Sequence, residues 1–240
     1  MVQASPELDQ HNREVINNAA DLTRLVRETG LESLASVHTL TVRAATLYGQ
    51  AYLHKQKAER YKTLEIQADC AAFEEERADL LEEAGSRIID TAIGEVESVT
   101  RELSELESGE AGNGEEVAQQ FQTQFKHGLA TLQIKPDDAA EIMEIVTEAT
   151  ETGLTRSPEQ ISGYVEEAVT GLHDTQCQID MGREGNLSGW CKAALIGVIG
   201  IAAIAVVAAC AMSGGIACGA AIGLASGGVA TAGRLLDKYC

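Results

Sequence analysis

The chain predicts an all-α protein, an acidic helical-bundle or coiled-coil body followed by a C-terminal hydrophobic, glycine-zipper helical hairpin. Three observations carry that reading. Aromatics make up 4% of the residues and prolines number three, while Ala and Glu are abundant, a composition that favours helix over a β-rich core. Ile89, Ala92, Val96, Val99, Leu103 and Leu106 recur in alternating steps of three and four, the a/d seam of a bundle or coiled-coil face. From Cys191 onward the composition changes. Ala193 to Met212 holds no charged residue and is about 20 residues long, enough to cross a bilayer as one helix.

Taken in order, a first helix starts at Ser5-Pro6, with Ser as N-cap and Pro at the first helical position, and stops at Gly30. A long helical stretch follows from about Leu31 to Glu107, and Gly49, Gly85 or Gly94 is where a break is expected. Ser108 to Glu116 reads as a loop by its glycine content. The next helix carries Ala118, Phe121, Phe125, Leu129 and Leu132 on one side. Pro136 opens another through Ile142, Val146 and Ala149, with Asp137 and Asp138 in the first turn where the helix dipole favours them. Ser157 and Gln160 fit a capping box ahead of Ile161, Tyr164, Val165, Ala168 and Leu172. The expected organisation is an acidic helical domain over 1–173, a polar glycine-containing linker over 174–189 and the hydrophobic hairpin over 190–240.

Charge divides the chain the same way. The net charge is −19, from 18 Lys+Arg against 37 Asp+Glu. The tail from residue 191 carries Lys192, Arg234 and Lys238 against Asp237, so the acidity belongs to the body. Such a body repels nucleic acid. The N-terminus lacks a basic stretch followed by an apolar one, so no standard secretory signal is expected, and localisation is at a membrane or outside the cell after processing.

Within the tail, Gly215, Gly219, Gly223 and Gly227 fall four apart, on nearly one helix face. Having no side chain, they leave a groove into which another helix can press, and in lipid that packing drives association. The expected partners are the lipid bilayer, the first hairpin helix through Gly200 and Ala203, and further copies of the chain. Trp190, Lys192 and Tyr239 lie at the hairpin base, where aromatic and basic side chains suit a membrane interface, while the tip Ser213-Gly214-Gly215 is uncharged. Cys210 and Cys218 lie four residues either side of Gly214, and Cys191 and Cys240 lie near the base. Two nested disulfides fit that symmetry, although four cysteines allow three connectivities. Cys70 and Cys177 read as core residues.

No HExxH, CxxC, GxSxG or P-loop lysine is present, so no enzyme, cofactor or metal site is expected. His173 and Cys177 are four apart, but two ligands do not make a metal site. The acidic runs Glu74-Glu75-Glu76 and Glu82-Glu83 read as a solvated helix face.

On Cys191, Cys210, Cys218, Cys240 and the glycine series, the layout resembles archaeal microhalocin-type bacteriocin precursors over roughly residues 177–240. The resemblance implies a C-terminal antimicrobial peptide released from an acidic N-terminal part that protects the producer. The chain departs from that family in having fewer cysteines there and no matching export signal. The expected function is a membrane-active toxin precursor whose hairpin permeabilises membranes. Two alternatives are an intact α-helical pore former and a membrane-anchored protein whose heptad face recruits a protein partner.

Overall fold

The computed structural model describes residues 20, 24, 27, 30–63, 68–105, 114–131, 134–155, 157–175, 189–212, 229, 232 and 233. Every regular element among them is a helix. Helical residues 20, 24 and 27 lead to Gly30, whose φ of 87° is one a glycine adopts without strain. Gly30 donates its N–H to the Arg27 carbonyl, which closes the turn.

Two long helices then run antiparallel, α1 (Glu32–Lys62) and α2 (Ala68–Glu105). The seam residues Ile89, Ala92, Val96, Val99 and Leu103 are all buried, and α1 and α5 (Pro158–Thr175) are the main helices packed on α2. Leu106 lies outside the described residues. Polar contacts fix the register. The Glu102 carboxylate accepts from the Ser33 N–H at 2.8 and 3.0 Å and from Ser33 Oγ at 2.7 Å, which caps the first turn of α1 from 69 residues away. Near the other end, His54 meets Glu74, and Lys55 pairs with Glu82 at 2.5 Å.

The break between these helices corrects the glycine expectation. Gly49, Gly85 and Gly94 all lie inside helices, and α1 ends at Lys62. Gly85 serves packing: a Cβ there would sit 2.3 Å from Tyr48 Cε1. Cys70 is also corrected. It is an exposed thiol at the start of α2 and not a core residue.

Three shorter helices follow: α3 (Gly114–Thr131), α4 (Pro136–Leu154) and α5. Glu115 and Glu116, read as loop, are the first turn of α3. Their inward faces match the apolar spacing, with Phe121, Phe125, Ile142, Val146, Ile161, Val165 and Leu172 buried. Phe121 and Phe125 stack at 5.9 Å. Gln122 Nε2 donates to buried Thr150 Oγ1 at 2.6 Å and ties α3 to α4. The capping box is half formed: Gln160 N–H donates to Ser157 Oγ at 3.3 Å, while that hydroxyl donates to Glu159 Oε2 at 3.0 Å.

The apolar run continues through α6 (Gly189–Leu195), a π-helical turn at Ile196–Gly200, and α7 (Ile201–Met212). It is the axis on which α1, α3, α4 and α5 converge. Leu195, Ile199, Ile201 and Ile204 are among its fully buried side chains, each contributing about 1.5–3 kcal/mol relative to exposure. Val229 and Ala232 belong to the same core.

Candidate functional site

The segment Trp190–Cys210 is 21 residues long and is the helix with the length and composition to cross a membrane among the described residues. Of its most apolar window, 89% is buried inside the molecule. A helix that is apolar around its whole circumference finds no solvated side, so it sits in a core or in lipid. Here the acidic helices supply the cover.

The cover is close because small residues allow it. Gly153 of α4 lies against α7, where an added Cβ would be 3.1 Å from Val207 Cβ and 3.2 Å from the Ile204 carbonyl oxygen. Gly128 of α3 has Val229 against it, with 2.5 Å between a built Cβ and Val229 Cγ1. A methyl group at Gly128 would overlap the Val229 side chain, and one at Gly153 would press on Val207 and the Ile204 carbonyl.

The π turn is held from two sides. A π turn widens the helical ladder by one residue and disturbs its hydrogen bonding. His38 of α1, fully buried, meets the Val198 carbonyl with Nε2 at 3.2 Å. A carbonyl only accepts, so Nε2 carries a proton. Burial pushes the His38 pKa down to about 4, partly opposed by that hydrogen bond. Its Nδ1 has no hydrogen-bond partner among the described residues. Beside it, Gly197 faces Thr41, with a built Cβ 2.8 Å from Thr41 Cγ2. From α5, Tyr164 presses its hydroxyl on Gly200, where a Cβ would be 2.4 Å away. Burial, with Glu148 and Glu167 nearby, raises the Tyr164 pKa.

At the base, Trp190 is 4% exposed and stacks on Tyr52 of α1 with ring centroids 6.1 Å apart and planes 9° apart. Its expected interfacial position is thus filled by protein in this conformation. Lys192 is exposed and borders a cavity of about 310 Å³ with Glu148, Tyr164 and Glu167.

Gly215, Gly219, Gly223, Gly227, Cys218, Cys240, Tyr239 and Cys177 lie outside the described residues. Gly200 and Ala203, expected to receive the glycine groove, are buried, and Gly200 is met by Tyr164. Cys210 is fully buried on α7. Cys191 is buried. No group of three His, Cys, Asp or Glu with metal-binding placement occurs among the described residues. His173 instead approaches Asp174 at 3.5 Å. Sequence reasoning missed His38 and the Tyr164–Gly200 contact. A histidine in the uncharged run Leu34–Val42, with Val37 and Leu40 beside it, is the available signal for the first.

No protein-family model, curated protein or solved structure matches the chain.

Proposed function

We propose that the protein is membrane-active, a toxin-type chain whose acidic helical body keeps an apolar helix out of water until it is delivered to a bilayer. One observation carries the reading. A helix with the length and composition of a membrane span is buried beneath four helices of a strongly acidic body. The body supplies solubility, and the tail supplies the driving force for insertion.

In the precursor form of this reading, a cut in the 174–189 linker separates body from tail, and the glycine-zipper hairpin then inserts and self-associates through Gly215, Gly219, Gly223 and Gly227. Cutting the linker leaves the core contacts in place, so release also requires the body to open.

A second form keeps the chain intact. It is favoured by the shared core, because α1, α3, α4 and α5 all touch the apolar helix. In that form the whole chain is the pore former and the body moves with the helix at the membrane.

Dye release from liposomes tests the proposal, with the 189–240 peptide and the full chain assayed separately, oxidised and reduced. Leakage by the peptide alone supports the precursor form, and leakage by the full chain supports the intact form. Failure of both to bind or permeabilise liposomes rejects membrane activity and leaves Trp190–Cys210 as the core helix of a soluble protein.

A further inference from the structure

The cover over the apolar helix is incomplete at one place. Where α4, α5 and α6 meet the π turn, the cavity of about 310 Å³ lies partly open. This is near the lower end of the volume range of small-molecule sites, roughly 300–1,000 Å³. Ala193 and Ile196 of the apolar helix form one wall. Tyr164 forms another, with its hydroxyl buried and lacking a hydrogen-bond partner among the described residues. Glu148 comes from α4, Glu167 from α5 and Lys192 from α6. All three are exposed, and none makes an ion pair among the described residues. Both carboxylates line the same cavity as the Tyr164 ring.

The chemistry narrows the occupant. A divalent cation asks for several oxygen ligands and no neighbouring ammonium. An anion meets two carboxylates. A wholly apolar ligand strips water from three charges without replacing it. A ligand with a cation and an anion a few bonds apart, and a short chain, satisfies every wall. We propose that this cavity receives the headgroup and first chain carbons of a zwitterionic membrane lipid. The quaternary ammonium lies on the Tyr164 ring between Glu148 and Glu167, the phosphate lies on Lys192, and the chain runs along Ala193 and Ile196. Lipid would then meet the apolar helix at the point where that helix is least covered.

The occupant rests on the membrane-active reading, but the first arm of the test uses no bilayer, so the two can fail separately. Full-length protein is titrated by calorimetry with monomeric hexylphosphocholine, hexyl sulfate, hexyltrimethylammonium and phosphocholine. Saturable one-to-one binding of hexylphosphocholine is expected, with the other three at least tenfold weaker. Glu148→Gln with Glu167→Gln, and separately Lys192→Gln, each weaken it at least fivefold. These positions are exposed, so folding is retained, and circular dichroism verifies it. Equal binding of hexyl sulfate, or binding indifferent to the variants, overturns the site. In the second arm the same proteins are floated with phosphatidylcholine vesicles. Co-flotation that the variants reduce supports a bilayer lipid as the source. Binding of the monomer without co-flotation overturns that source.

Discussion

His38 is the residue whose chemistry is most at odds with its surroundings. It sits in the core with its Nε2–H on the Val198 carbonyl, and the two apolar segments it faces, Ile196–Gly200 and α7, carry no charged side chain. On α2, Ala92, Val96 and Val99 form the buried line, while Glu95 is half-buried and Glu97 exposed. With a folded pKa of about 4 against 6.5 unfolded, the unfolded chain takes up the proton first as pH falls. The neutral ring's contribution is therefore complete above about pH 6.5 and is lost as pH falls toward 4. Between pH 7 and pH 5 that loss is about 2 kcal/mol. His38→Gln keeps a donor for Val198 without titrating. Urea denaturation at the two pH values is expected to show the variant losing about 2 kcal/mol less than the parent, since background carboxylates act equally in both. Equal losses would remove His38 as the cause. Gly200 gives a second prediction at this scale. Gly200→Ala drives a methyl into the Tyr164 hydroxyl and is expected to cost about 1–3 kcal/mol. Adding Tyr164→Phe removes the closest atom and leaves ring carbons at 3.1 and 3.2 Å. The double variant is expected to be more stable than Gly200→Ala alone by thermal melting. Simple additivity of the two losses would refute the contact.

Among the elements, the antiparallel pair α1 and α2 shows how a long helical stretch turns back on itself. Ile89, Ala92, Val96, Val99 and Leu103 of the spaced series are buried, and along the pair Tyr48 closes on Gly85 and Ser33 on Glu102. The N-cap position, Leu31, has no side chain able to cap, so the Glu102 carboxylate supplies what the local sequence does not. Glu102→Ala is expected to destabilise by about 1 kcal/mol and to raise amide exchange in the first turn of α1. Exchange unchanged at Ser33 would show the cap to be idle. Glycine was a poor guide to the break because its low helix propensity, about 1 kcal/mol, is readily outweighed by packing of the kind seen at Gly85. The apolar face of α5 was legible from its spacing, whereas the proximity of Tyr164 to the π turn was not, because spacing states which residues share a face and not what lies opposite.

At the scale of the whole molecule, the balance is between an oily axis and a charged shell. The chain carries a net charge of −19, and the ion pairs of Lys62 with Glu59 and Glu75 and of Arg87 with Glu83 are exposed. Exposed pairs contribute little, so repulsion among unpaired carboxylates dominates the salt response. Raising sodium chloride from 0.05 to 1 M is expected to stabilise the fold by about 1–2 kcal/mol, a rise in melting temperature of roughly 3–6 °C. A flat or falling melting temperature would mean that the pairs outweigh the repulsion.

The helical class, the acidity, the apolar faces and the presence of a segment with the composition of a membrane span are legible in the residues alone, because they follow from composition and from the 3.6-residue period. Where that segment lies is set by the packing of the other helices around it. Apolar surface is satisfied equally by lipid or by the apolar faces of other helices, and a hydrophobic run carries no mark of which it meets. Residues distant in sequence, namely His38, Gly128, Gly153 and Tyr164, come together around the apolar core, and no local pattern encodes their meeting.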